Sequence, residues 1–184
     1  MTTMVNTVSF EMYTPENAPV NSKAALDRLK QSVGAIPNLA ATMAGSGALI
    51  EGFVTLREIV NETVGFSPEE RELIFLANAT ANECNYCMAI HSAFGQKAGL
   101  SSQTLEAVRF GTPLSDPRKN AIVNFSKAIA VKRGKVSATD LKTFLDAGFE
   151  KSHALDLIAC FAQSVMANYT NHIAHVELDE FLKG

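Results

Sequence analysis

Ser67–Pro68–Glu69–Glu70–Arg71–Glu72–Leu73–Ile74–Phe75–Leu76–Ala77–Asn78–Ala79–Thr80–Ala81 runs on through Asn82–Glu83 into Cys84–Asn85–Tyr86–Cys87–Met88–Ala89–Ile90–His91, and this stretch decides how the chain is built. Ser67 supplies an N-cap hydroxyl, Pro68 suits the first helical position, and Glu70 falls where a capping-box acid belongs. The helix that follows, Leu73 to Ala81, is apolar on nearly every side and is expected to be buried. A second helix is expected from about Cys84 to Ala98, closed by Gly99.

The spacing on either side is also helical. Leu26, Leu29 and Val33 share a face and stop at Gly34, and Leu49, Phe53, Leu56 and Val60 repeat the pattern before Gly65. Ser101 begins a short helix, Pro117 opens one ending at Gly134, and Ser137–Asp140 starts one ending at Gly148. From about Ser152 to Tyr169 the chain is again apolar around most of a helix, a second candidate for the centre of the core. Only Val8, Phe10 and Met12 alternate like a strand. The expectation is one all-α domain over 1–184, a multi-helix bundle with two central buried helices, with 1–21 an N-terminal arm that wraps a neighbour.

With 184 residues, 47% of them hydrophobic and 19% charged, the chain has enough apolar material for one core. The net charge of -3 argues against a nucleic-acid surface. The basic groups Arg118–Lys119 and Lys132–Arg133–Lys135 read as solvated helix ends. No secretory leader is visible, and the uncharged runs Gln31–Ile50 and Leu157–Val176 are interrupted by glycines and proline or by polar side chains, so no membrane span is expected. A cytoplasmic protein is expected. In that reducing setting a close cysteine pair points to redox chemistry or metal binding.

On a helix, residues three apart lie about 5–6 Å from each other, inside the Cα separation of about 4.4–6.8 Å that a disulfide tolerates. Cys84 and Cys87 therefore suit a dithiol/disulfide pair, and His91 continues their stripe. At the start of a helix, free N–H groups and the dipole favour a thiolate, and an imidazole one turn on can take the thiol proton. Glu83 would oppose a thiolate if it turned inward. Glu72 has two readings: a desolvated carboxylate passing a proton to His91, or a first-turn acid facing water.

Glu72, Cys84-x-x-Cys87 and His91 at this spacing resemble the signature of alkylhydroperoxidase D-like (AhpD-like) proteins, in the peroxidase-related branch of the carboxymuconolactone decarboxylase superfamily. Asn168–Tyr169–Thr170–Asn171–His172–Ile173–Ala174 is similar to that branch's C-terminal part. The resemblance implies an all-helical fold, trimers or hexamers, and reduction of organic hydroperoxides or hydrogen peroxide by the cysteine pair. An external lipoyl- or thioredoxin-like dithiol would restore the enzyme, with no resident cofactor or metal. It implies Cys87 as the attacking thiol, Cys84 as the resolving one, and Glu72 with His91 as proton relay. Tyr86 stands where the hydroperoxidase has a histidine, as a replacement hydrogen-bond donor or a group facing another subunit.

For the choice of attacking sulfur, the dipole favours Cys84 by about 0.3–1 kcal/mol. A charge-assisted hydrogen bond from His91 to Cys87 is worth about 1.5–3 kcal/mol and outweighs it. Three other readings compete: zinc held by the cysteines, His91 and an acid; a carboxymuconolactone decarboxylase-like enzyme, which does not need the pair; and a non-enzymatic redox-sensing oligomer. His172 and His175 read as polar contacts, and Cys160 as an inert buried thiol.

Overall fold

The computed structural model describes residues 9–183. Over these the chain is all-helical: α1 (Val20–Val33), α2 (Asn38–Met43), α3 (Gly47–Thr63), α4 (Pro68–Ala81), α5 (Asn85–Lys97), α6 (Ser102–Phe110), α7 (Pro117–Val131), α8 (Ala138–Asp146) and α9 (Lys151–Ala174), then a 3-10 turn at Glu180–Leu182. No strand forms among the described residues: Phe10 and Met12 are exposed, and Val8 lies outside them. The described part of the N-terminal arm folds onto its own chain, where the Tyr13 N–H donates to the Ala41 carbonyl at 3.0 Å.

The start of α4 is a reciprocal capping box: Ser67 Oγ accepts from the Glu70 N–H, and Glu70 accepts from the Ser67 N–H. Glu70 also receives Arg118 at 2.7 Å, whose guanidinium lies 3.8 Å over the Phe149 ring, while Lys119 pairs with Glu69. Arg118 and Lys119 thus stitch the start of α7 to that of α4, where the sequence suggests a solvated helix end.

Every residue from Leu73 to Ala79 is buried, and α4 packs against α5, α6, α7 and α9. It separates two apolar clusters. The first joins α4 to α7, α8 and α9 around Phe125, Phe144 and Phe149, and the second joins α1, α2, α3 and α5. Helix α9 buries Leu157, Cys160, Gln163, Ser164, Ala167 and Asn168 along one face, but Leu155, Ile158 and Tyr169 remain exposed. It is therefore buried on one side only. Cys160, in the interior, has its thiol pushed up to about 12 by burial and by nearby Asp156.

Phe144 stacks between Phe125 (4.5 Å) and Phe149 (4.3 Å) and is 1% exposed. Phe144→Ala is expected to cost about 3–5 kcal/mol. In urea the midpoint should fall with the slope unchanged, whereas an unchanged midpoint would mean the ring stack is not part of the cooperative core.

Candidate active site

Three residues carry the chain from α4 into α5. Asn82 ends α4, Glu83 takes a left-handed conformation (φ 56°), and the Cys84 N–H closes the turn on the Ala79 carbonyl at 2.9 Å. Glycine usually fills such a position, so nothing in the sequence marks it. The turn leaves Glu83 exposed and delivers Cys84 as the N-cap of α5, not as a residue of its first turn. Cys84 is extended (φ -91°, ψ 96°), and its Sγ accepts the Cys87 N–H at 3.3 Å. The three-residue spacing still brings the sulfurs together, because an N-cap side chain reaches over the first turn. The single helical stripe expected for Cys84, Cys87 and His91 holds only for the last two.

Both cysteines are free and buried. The Cys84 thiol is held below the usual thiol range by the Cys87 S–H donating to it, with help from backbone N–H groups and the Asn171 side chain. Cys87 is pushed far upward by that same bond and by burial, although the Asn168 side chain opposes the shift. The first negative charge on the pair therefore rests on Cys84.

Glu72, on the first half of α4, meets His91 on α5. Its Oε2 lies 2.9 Å from His91 Nδ1, each side chain is 19% exposed, and Phe75 stacks on the imidazole at 5.0 Å. Of the two readings of Glu72, the structure selects the partner of His91. A carboxylate at Nδ1 fixes the proton there and leaves Nε2 as the basic nitrogen.

A cavity of about 110 Å³ opens beside these groups, lined by Cys87, His91 and Glu72 but not by Cys84. Its walls are mainly apolar, with Met43, Phe53, Phe75 and Phe94 among them. Tyr86 also lines it, but the phenol is committed elsewhere. Its O–H donates to Asp179 Oδ2 and its oxygen accepts the Leu39 N–H at 3.3 Å, while Asp179 Oδ1 accepts the Asn38 N–H at 2.9 Å. Burial and Asp179 push the phenol well above its ordinary range. Tyr86 thus anchors the C-terminal segment and the start of α2, and its 2% exposure leaves it no face toward another subunit.

His172 stacks on Tyr169 and His175 forms the left-handed end of α9. Among the described residues, no group of three or more His, Cys, Asp or Glu side chains is placed to hold a metal ion. No helix among them is long and apolar enough to cross a membrane.

The helical bundle thus sets the cysteine pair Cys84 and Cys87 at a helix start, beside the carboxylate–imidazole pair of Glu72 and His91. Residues 47–128, the segment carrying all four groups, match the carboxymuconolactone decarboxylase family, and the chain as a whole has the fold of that superfamily's AhpD-like, peroxidase-related branch. The AhpD core of a peroxidase-related protein from Ralstonia eutropha JMP134 is similar over 94% of this chain and 93% of its own, with a TM-score of 0.81 and 19% identity. A peroxidase-related protein from Silicibacter sp. TM1040 is similar over 100% and 98%, with a TM-score of 0.79 and 18% identity. The debrominase Bmp8, in complex with 2,3,4-tribromopyrrole, is similar over 98% and 95%, with a TM-score of 0.79 and 15% identity. No curated protein matches the chain in sequence.

Proposed function

We propose that the protein is a thiol-dependent peroxidase that reduces organic hydroperoxides or hydrogen peroxide. The observation that carries this reading is that Cys87 and the Glu72-bound imidazole of His91 line one apolar cavity, with Cys84 hydrogen-bonded to Cys87 from behind. Cys87 gives up its proton through His91 and attacks the terminal peroxide oxygen. An S–O bond forms, the O–O bond breaks, and the departing alkoxide leaves as an alcohol with a proton from His91. Cys84 then condenses with the Cys87 sulfenic acid, releasing water and closing the disulfide. An external dithiol reduces it by exchange.

That donor, of lipoyl or thioredoxin type, and a cytoplasmic setting belong to the same proposal, since the cycle needs a reducing pool. So does assembly as a trimer or hexamer, supported by the exposed Leu155, Ile158 and Tyr169 on α9.

The test is a count of thiols in the native reduced protein before and after one equivalent of cumene hydroperoxide. Two thiols per chain should disappear and return with a small dithiol. No loss would overturn the peroxidase reading and favour decarboxylase-like chemistry. Loss without turnover, together with a redox-dependent change in oligomer size, would favour the redox sensor.

A further inference from the structure

The cavity contains polar groups that the peroxidase cycle does not use. Arg57, on α3, lines it alongside the apolar Val33, Met43 and Phe53. A guanidinium carries five donors, yet the one side-chain hydrogen bond Arg57 makes among the described residues is from Nη1 to the exposed Ser32 Oγ at 3.1 Å. The nearby acids are taken: Glu72 is bonded to His91 at 2.9 Å, and Glu58 to Arg28 at 3.1 Å. Arg28 and Arg118, by contrast, each meet a carboxylate directly. Burial pulls the Arg57 pKa down while Glu72 and Glu58 pull it up from a distance, as expected for a cation short of a contact partner.

An independent observation lies on α9. Gln163 is 6% exposed and lines the same cavity, and its buried Oε1 has no hydrogen-bond partner among the described residues. A buried acceptor left unpaired is costly, and a ligand O–H would satisfy it. A hydroperoxide has that O–H. The two groups are complementary: an unused acceptor for the peroxide end and an unused cationic fork for an anion, with apolar wall around them.

On the peroxidase reading, we propose that the substrate is a hydroperoxide of a carboxylic acid, with an apolar body between its two polar ends. Arg57 binds the carboxylate through its free donors, and Gln163 Oε1 accepts the hydroperoxide O–H as Cys87 attacks. The reaction balances as before: hydroperoxy acid and dithiol give hydroxy acid, water and disulfide. Arg57 selects the substrate and takes no part in the electron transfer.

The experiment compares two matched probes, cumene hydroperoxide and the same molecule bearing a para-carboxylate. With the native protein, kcat/KM should favour the carboxylate probe by about ten- to a hundredfold, mainly through KM, the range expected of a charge-assisted hydrogen bond. Arg57→Gln should abolish that preference and leave cumene hydroperoxide within about twofold of native. Arg57→Lys, which keeps the charge without the fork, should retain part of it. Gln163→Leu should weaken both probes alike, because the peroxide is common to them.

Equal native rates on the two probes would overturn the proposal while leaving the peroxidase reading standing. So would an equal loss on both in Arg57→Gln, which would make Arg57 a positioning residue for the Glu72–His91 pair. Consumption of neither probe by the native protein would overturn the peroxidase reading itself, and this one with it.

Discussion

Cys87→Ser is expected to reduce hydroperoxide consumption to the uncatalysed background, whereas Cys84→Ser is expected to undergo one oxidation and stop at a sulfenic acid. Cys87 is the sulfur that lines the cavity with His91, and Cys84 lies behind it at the N-cap of α5. The Cys87 thiol is pushed upward by its bond to Cys84, by burial and by any charge on Cys84, which ionises first of the two. Replacing Cys84 by serine removes the sulfur whose bond and charge hold the Cys87 proton, so the remaining thiol ionises more readily and the first step survives. The sulfenic acid then has no resolving partner and should persist long enough to be trapped by a dimedone-type reagent and weighed by mass spectrometry. If Cys84→Ser were silent in the first oxidation while Cys87→Ser still consumed one equivalent, the roles would be reversed.

The second large effect is expected at Glu72. Glu72→Gln preserves shape and hydrogen bonding but permits the wrong tautomer. An amide N–H donated to His91 Nδ1 moves the ring proton to Nε2, and the nitrogen needed as base becomes a donor. General acid–base assistance is worth about 10²–10⁴-fold, so kcat/KM should fall by at least about 10². The thiolate of the pair should be almost untouched, because Cys84 is stabilised by Cys87, backbone N–H groups and Asn171, none of which is lost. Its pKa is lowered, so the thiolate is present above that value and is lost as pH falls through it. The ultraviolet thiolate signal should therefore titrate below the ordinary thiol range in native protein and variant alike. A parallel shift of that titration in Glu72→Gln would mean that Glu72 acts on the thiol directly and not through the imidazole.

Much of this architecture is written locally. The capping box at Ser67–Glu70, the stop at Gly34 and the paired start at Ser137–Asp140 are short-range devices, and the helices form where those residues place them. The same holds for the spacing of Glu72, Cys84, Cys87 and His91, because consecutive antiparallel helices pack where their connection is short. What the sequence does not disclose is non-local. Arg57 from α3 and Gln163 from α9 line the cavity, and Asp179 from beyond α9 holds Tyr86, and none of the three carries a local signal for its contact. Asn168 and Asn171 fall in the segment that the resemblance marks, but nothing local shows that they reach the cysteines. Six-residue α2 lacks the apolar repeat that reveals a longer helix. The left-handed turn at Glu83 is occupied by a residue that rarely accepts it, so the shift of Cys84 from the first turn to the N-cap is not legible in the sequence. The exposed face of α9 carries Leu155, Ile158 and Tyr169 while its buried face holds the polar Gln163, Ser164 and Asn168, so hydrophobic periodicity alone does not distinguish them.

Cys160 lies in the interior, away from the cavity lining, with a thiol pushed up to about 12. For anyone measuring this chain it is a built-in reference mark. An isotope-coded alkylating reagent applied to the folded protein should pass it by, and a second label added after denaturation should tag it completely. The ratio of the two labels on the Cys160 peptide then reports what fraction of each sample was folded, within the same spectrum that reads the oxidation state of the other two cysteines.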